Sequence, residues 1–289
     1  MAPREKLGKA LLSLPYAREI GSVTLAAMAG AYQRLLLLRG RPADVVSVRD
    51  GIRFSLDISE WVQMRIFFDR FIPTYDVAEL EFAKRHLRPG DVAFDVGSQV
   101  GLYTLTFSRA VGTTGRVIAF EPDPRNRDRL EANLKLNDFT ANVEIVPLAL
   151  SDSAGSAVLY RSSDTGHNSM RASVATESRV DEIPIETTTL DEFCKRASID
   201  RIRFLKVDVE GHEPSVLAGA SETIAAHRVD FVMLEYVAER ARGLGMGDAI
   251  GDSALTSHGY RFVLPDAPPE KWPKVTNLIY AAPGVQLLS

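Results

Sequence analysis

Titratable side chains stand at four places along this chain where an apolar run ends. Asp95 stands inside Asp91-Val-Ala-Phe-Asp-Val-Gly-Ser-Gln-Val-Gly101, just ahead of Gly97 and Gly101. Glu121 closes Gly115-Arg-Val-Ile-Ala-Phe-Glu121, 20 residues past Gly101. Lys206, Asp208, Glu210, His212 and Glu213 crowd the end of Ile202-Arg-Phe-Leu-Lys-Val-Asp-Val-Glu-Gly-His-Glu213. Glu235 ends a fourth apolar run, Phe231-Val-Met-Leu234. A carboxylate at the end of a strand can accept from both hydroxyls of a ribose. Acids, a lysine and a histidine at one strand end are costly unless they pair with one another or are used. Together they could take a proton from a substrate, or hold a divalent cation between Asp208 and Glu235 through oxygen ligands.

The elements that must carry these groups follow from the apolar pattern. Val92, Ala93, Phe94 and Val96 make a short buried strand, Gly97 to Gly101 a turn, and Val100, Leu102, Tyr103, Leu105 and Phe107 the apolar side of a helix. Strand, glycine turn and helix open a doubly wound α/β nucleotide-binding fold, with Asp95 at the carboxyl end where such sheets bind ligands. The two glycines suit a sharp turn that lets backbone approach a ligand, because neither carries a Cβ. The dinucleotide fingerprint G-x-G-x-x-G is not met. Gln99 fills the place of the middle glycine, which leaves D-x-G-x-x-x-G. A wider turn led by an acid suits a ligand that is positively charged and lacks a phosphate, such as S-adenosylmethionine with its ammonium and sulfonium. NAD and an ordinary turn with no ligand stay open at this point.

Composition narrows the field further. The 289 residues are 45% hydrophobic and 25% charged, with a formal net charge of -4, ordinary values for a soluble globular protein. A mildly acidic chain lacks the basic footprint of a nucleic-acid binder, so no nucleic-acid partner is expected. The single cysteine, Cys194, can form neither an internal disulfide nor a cysteine metal cluster. It reads as a small packing residue, and the pattern fits a cytoplasmic location.

Read in order, the chain begins with a basic start (Arg4, Lys6, Lys9) and an apolar stretch over Ser22–Leu38 that Gln33 and Arg34 interrupt. No uncharged run reaches the roughly 18 residues of a membrane span, and Arg18 and Glu19 break a signal-peptide core. This stretch is expected to be an amphipathic helix packed on the body of the chain; a contact with a membrane surface or with a second copy of the chain is left open. Asp44–Ile58 alternates apolar and polar around Asp50-Gly51, a hairpin signal. Trp61–Phe71 is rich in aromatics and reads as core, or as the mouth of a pocket. Asp76–Leu87 reads as a helix stopped by Pro89-Gly90. Arg125–Asn137 reads as a helix after the chain break Pro122-Asp123-Pro124. Val143–Pro147 reads as a third strand, followed by a loop over Leu148–Asp152. Ala157–Tyr160 and Ile183–Thr189 read as strands flanking a polar loop over Arg161–Val174, where His167 and Asn168 are solvated or touch a substrate. A short helix is expected near Leu190–Ala197, another over Asp248–His258, and two last strands at Tyr260–Leu264 and Asn277–Ala281. Residues 1–75 thus divide as a helical appendage with a β-hairpin from a second domain over 76–289.

On these residues the chain resembles the FkbM family of S-adenosylmethionine-dependent methyltransferases. The resemblance rests on Asp95-Val-Gly-Ser-Gln-Val-Gly-Leu-Tyr-Thr104, Phe120-Glu-Pro-Asp-Pro124 with Leu130 and Asn133, Leu150-Ser-Asp152, and above all Lys206-Val-Asp-Val-Glu-Gly-His-Glu213. It covers roughly Val45–Ala282. Ser98-Gln99 departs from it, the family usually having Ala-Asn there. The resemblance implies a Rossmann-like class I methyltransferase fold: an α/β, mostly parallel seven-stranded sheet with a reversed final strand. It implies O-methylation of a hydroxyl on a sugar or a polyketide-type natural product. Asp95, Gly97 and Gly101 would shape the pocket for the methionine end, with Ser98 and Tyr103 in the same segment. Glu121 would hold the ribose beside Pro122, and Ser151 and Asp152 would neighbour the adenine. Lys206, Asp208, Glu210, His212 and Glu213 would flank the acceptor.

Methyl transfer to an alcohol is an in-line displacement at a sulfonium methyl, so the protein mainly supplies alignment and a place for the hydroxyl proton. Asp208 or His212 is expected to accept that proton, the second having an ordinary pKa suited to the task. Mg²⁺ held by Asp208 and Glu235 would be a way to acidify the alcohol. The competing readings are an NAD-dependent oxidoreductase and a non-catalytic scaffold that kept the fold, the latter dimerising through the N-terminal helix.

Overall fold

The computed structural model describes residues 44–57, 60–69, 77–140, 142–162, 168–170, 179–237, 252–265 and 275–288, with a few isolated positions before them. The expected N-terminal helix over Ser22–Leu38, His167 and the first four residues of the helix expected over Asp248–His258 lie outside them. The described residues fall into two compact units, one ending at Val77 and one beginning at Ala78.

The first unit holds a hairpin and a helix. Strands β1 (Asp44–Arg49) and β2 (Ile52–Asp57) pair antiparallel with Arg49 opposite Ile52. Asp50 (φ 50°) and Gly51 (φ 76°) both turn left-handed, the geometry that matches the twist of the two strands. Ile52, Phe54 and Leu56 bury one face of β2. Helix α1 (Trp61–Asp69) packs against β2 and buries Met64, Ile66 and Phe67. Gln63 accepts from the Asp57 N–H at 2.8 Å, which fixes the start of α1 to the end of β2.

The second unit is built on a seven-stranded sheet. Helix α2 (Val77–His86) leads to β3 (Val92–Val96), α3 (Leu102–Val111), β4 (Arg116–Phe120), α4 (Pro124–Lys135) and β5 (Val143–Val146). Three short pieces follow, β6 (Ala149–Leu150), β7 (Gly155–Ser162) and β8 (Arg179–Thr188). Then come α5 (Leu190–Arg196), β9 (Ile202–Val207), α6 (Glu213–Ala218), α7 (Ser221–Ala225), β10 (Val229–Val237), α8 (Asp252–Thr256), β11 (Arg261–Leu264) and β12 (Val275–Ala281). The sheet runs β11-β12-β10-β9-β3-β4-β5. Neighbours from β10 to β5 are parallel, and β12 alone is reversed, antiparallel to both β10 and β11. This is the expected class I methyltransferase arrangement, with a reversed final strand.

The apolar strands are continuous because both faces are covered. Phe94, Phe120, Leu205, Val207, Val232 and Leu234 are all buried in one cluster. Phe120 meets Phe193 of α5 edge-on at 4.8 Å, and Cys194 lies buried beside it. Burial pushes the Cys194 thiol up to about 11, so it packs and does not attack.

One element differs from the sequence reading. The two runs expected as short separate strands extend to β7 and β8, pair antiparallel, and take β6 as a parallel third strand. The Leu148–Asp152 stretch is therefore partly a strand of a small second sheet and not a plain loop. Cross-strand pairing over so short a segment depends on partners more than 30 residues away, which local alternation does not reveal.

Candidate active site

The sheet order reverses between β3 and β9, and the carboxyl ends of these two strands flank the crevice where α/β sheets bind ligands. The register places Asp95 of β3 beside Lys206 of β9. Their side chains meet there, Lys206 Nζ lying 3.4 Å from Asp95 Oδ1 and 3.2 Å from Asp208 Oδ2. Lys206 also donates to the Gly97 carbonyl (3.3 Å) and lies 5.1 Å over the Tyr103 ring. Its side chain is only 4% exposed. An ammonium at that depth costs several kcal/mol in lost hydration, and the two acids offset it. Lys206 is thus a brace between the turn after β3 and the loop after β9, not a group open beside an acceptor. Asp95 is buried as well, taking the Thr104 hydroxyl at 2.5 Å.

The turn itself has no room for side chains. Gly97 (φ 77°) lies so close to the loop after β9 that a Cβ there would stand 1.9 Å from the Asp208 carbonyl oxygen. Gly101 (φ 94°) faces Leu130 of α4, whose Cδ1 would lie 2.4 Å from a Cβ. Between them Gln99 is left-handed too (φ 49°), which aims its N–H at Glu121 Oε2, 2.8 Å away. Ser98 is buried, with its N–H on the Phe120 carbonyl at 3.1 Å and its hydroxyl on the same oxygen at 3.4 Å. It stitches the turn to β4.

Glu121, 5% exposed, accepts from Gln99 N–H on one oxygen and from Asp123 N–H on the other at 2.9 Å, with a further bond from the Asn126 side chain. Burial nevertheless pushes its carboxyl up to about 7. A carboxylate has about four acceptor sites, so one direct place remains for a ligand hydroxyl, and a second requires Asn126 to give way. Pro122 offers only its carbonyl, which takes Arg127 Nη1 at 2.7 Å.

Asp123 is a centre the sequence reading missed. It is fully buried. It caps α4 by accepting from Arg125 N–H at 2.9 Å. Arg161 of β7 grips it with two donors, at 3.0 and 2.7 Å, and Asn168 adds a third side-chain donor at 2.8 Å. The signal was present: an Asp followed by Pro124 is an N-cap with proline at the first helical position. Asn168, expected as a solvated or substrate-touching loop residue, is instead a half-buried partner of Asp123.

The loop after β9 turns through Glu210 (φ 53°) and Gly211 (φ 93°). Glu213 is buried beneath it and accepts from Val209 N–H (3.0 Å) and Gly211 N–H (3.2 Å). Glu213 therefore shapes the loop from inside and does not flank an acceptor. Asp208, Glu210 and Glu235 are half-buried, and each brings a carboxylate oxygen within 4.8 Å of the other two. Glu235 joins them because its predecessor Leu234 is level with Val207 in the sheet. Three acids at this spacing gain from a proton or a divalent cation placed among them, and Glu210 joins the pair the sequence had suggested. His212 points the other way along the crevice, with Nε2 3.0 Å from Ser151 Oγ. Ser151 is buried, while Asp152 is exposed and takes the Ser151 and Ser153 hydroxyls at 3.3 and 3.0 Å. The close passage of β6 and α6 needs Gly219, where a Cβ would stand 2.0 Å from the Ser151 carbonyl oxygen.

The hexuronic acid methyltransferase AglP of Haloferax volcanii is 35% identical over 147 residues, covering 50% of this chain and 55% of that protein. The 2-O-methyltransferase NoeI of Sinorhizobium fredii is 27% identical over 162 residues, covering 52% of this chain and 64% of that protein. The chain thus spans little more than half the length of these relatives. Among solved structures, a methyltransferase FkbM from Methylobacillus flagellatus matches with a TM-score of 0.45 at 16% identity, over 76% of this chain and 53% of that one. Residues 95–262 match the methyltransferase FkbM domain from the Asp95 turn through β11, more than half of the chain, and the protein belongs to that family.

Proposed function

We propose that this chain transfers a methyl group from S-adenosylmethionine to a hydroxyl of a sugar or polyketide-type acceptor. The observation that carries the reading is the junction of Gly97 with Asp208: the turn after β3 packs backbone to backbone on the loop after β9, with the buried acids Asp95 and Glu121 on one side and the three carboxylates of Asp208, Glu210 and Glu235 on the other. Gln99 fills the place of the middle glycine of the dinucleotide fingerprint and gives its N–H to Glu121; this speaks against the NAD reading. Two relatives whose names specify a hexuronic acid methyltransferase and a 2-O-methyltransferase support a glycan hydroxyl as acceptor.

The cofactor would supply a methyl group on positive sulfur, with a neutral thioether as leaving group. Asp95, Gly97 and Gly101 would frame its methionine end beside Tyr103. Glu121 would take a ribose hydroxyl, and Ser151 with Asp152 would border the adenine. Asp208 would receive the acceptor's hydroxyl proton, since it adjoins both the Gly97 turn and the carboxylates of Glu210 and Glu235, and Glu210 would orient the alcohol. His212, drawn to Ser151, would order the base-side wall. Asp208, Glu210 and Glu235 could also hold Mg²⁺, which would lower the pKa of a bound alcohol; loss of activity on EDTA treatment, restored by Mg²⁺, is the check, and activity indifferent to both removes the metal. In the same reading residues 76–289 form the catalytic domain, 1–75 an appendage, and the enzyme works in the cytoplasm. Calorimetric titration with S-adenosylmethionine and S-adenosylhomocysteine, with NAD as control, tests the proposal. Micromolar binding of the first two is expected, and binding of NAD alone would overturn it.

A further inference from the structure

A line of hydrogen bonds runs from the turn after β3 to the loop after β9 without passing through the crevice. Gln99 N–H donates to Glu121, and Asp123 N–H donates to the other oxygen of the same carboxylate. Asn168 Nδ2 donates to Asp123. The next residue, Ser169, is fully buried. It exchanges both backbone hydrogen bonds with Tyr160 of β7, at 2.8 and 3.1 Å. Its hydroxyl then donates to the Glu210 carbonyl at 2.8 Å. That carbonyl belongs to the left-handed residue whose carboxylate joins Asp208 and Glu235.

We infer that Asn168 and Ser169 are positioning residues that make the shape of the Asp208–Glu213 loop depend on occupancy of the Glu121 site. The inference rests on the cofactor reading of Glu121 and adds a consequence to it. The physical reason is that Glu210 is left-handed, a backbone state that a non-glycine residue keeps only when surrounding bonds over-determine it. Glu213 holds the loop from below through two N–H groups, and Ser169 holds it from above. Asp123 is bound to Glu121, to β7 and to Asn168 at once. A ligand hydroxyl that stiffens Glu121 therefore stiffens Asp123 and Asn168, and through Ser169 the loop that carries the acids.

The test uses the full chain, S-adenosylhomocysteine as probe and amide hydrogen exchange over Val209–Glu213. In the wild-type protein the probe should slow exchange of these amides by about tenfold. In Ser169→Ala, which removes one hydroxyl, and in Asn168→Ala, which breaks the other end, the probe should still bind within about threefold of wild type while the slowing disappears. A merely structural role would raise exchange equally with and without the probe and leave the ratio unchanged. That result, or slowing that persists in both variants, overturns the coupling and leaves the cofactor reading intact. A wild-type protein that binds no S-adenosylhomocysteine removes the cofactor reading, and the coupling with it.

Discussion

The two sides of the crevice are built on opposite plans. At the ends of β3 and β4 the acids are buried and spent on the fold: Asp95 holds Thr104 and Lys206, and Glu121 holds two backbone N–H groups. At the ends of β9 and β10 the acids are half-buried, and Asp208 keeps a side chain 21% exposed. The loop that carries Asp208 and Glu210 is braced from inside by Glu213, and Asp208, Glu210 and Glu235 each bring a carboxylate oxygen within 4.8 Å of the other two. The first side is preorganised for a ligand of constant shape. The second keeps its carboxyl groups nearer to solvent, as a site must when protons or a cation come and go. Fixed geometry on one side and available charge on the other is the division of labour expected when a common cofactor meets a variable acceptor.

The two halves touch at Gly97, so the largest effect should come from Gly97→Ala. A Cβ at 1.9 Å from the Asp208 carbonyl strikes backbone, which cannot rotate away, and the residue is left-handed besides. We expect a loss of about 3 kcal/mol or more, a Tm lower by roughly 6–12 °C, and no detectable cofactor binding. Gly101→Ala is the control: its Cβ meets only the tip of Leu130, and the cost should be about 1–2 kcal/mol. Equal melting temperatures for Gly97→Ala and wild type would show that the halves are not joined there.

Next in size, Asp208→Asn separates the sides. With an accepting alcohol in hand, kcat should fall about 100-fold or more, while the dissociation constant for S-adenosylhomocysteine moves less than threefold. A weaker cofactor with unchanged kcat would assign Asp208 to the preorganised side. Glu121→Ala should do the reverse, weakening cofactor binding about tenfold or more through lost hydrogen bonds to a charged group and leaving Mg²⁺ dependence unchanged. If the dissociation constant stays put, Glu121 does not hold the ribose.

Much of this division was legible in the chain, and the reasons differ by side. Asp95, Gly97, Gly101 and Glu121 could be placed because a strand, a glycine turn and a strand-end acid are local patterns. The α/β class followed from alternating strands and helices, while the seven-stranded sheet with its reversed strand came from the family resemblance. The burial of Lys206 and Glu213 was not legible, because sequence shows that they share a strand end but not how deep each one sits. Asp123, Asn168 and Ser169 went unrecognised as a connected set because their partners lie 38 to 45 positions away, from Asp123 to Arg161 and Asn168 and from Ser169 to Glu210. Long-range pairing through a small three-stranded sheet leaves no periodic trace. The turn chemistry at Asp123-Pro124 did leave one, and a stricter reading of helix starts would have found the cap.

The smallest expected effect is also the one most specific to the preorganised side. Burial holds the Glu121 carboxyl near 7 in the free protein, up from 4.5. Near pH 6 the group is therefore mostly protonated and cannot accept from a ribose hydroxyl on that oxygen. Affinity for S-adenosylhomocysteine should rise as pH increases from 6 to 8, by about tenfold, and then level off. Stability should run the opposite way. A folded carboxyl whose pKa lies above its unfolded value binds the extra proton between about 4.5 and about 7, so its stabilisation is complete below the lower value and is lost as pH rises through the upper one. The loss amounts to at most about 3 kcal/mol. The ligand-free protein should thus melt at lower temperature at pH 8 than at pH 6, and saturating ligand should narrow that gap, because the bound state prefers the ionised form. Ligand affinity that is flat across this range would mean that Glu121 is already ionised in the free protein, and the contrast between a spent acid and an available one would then rest on the β9 side alone.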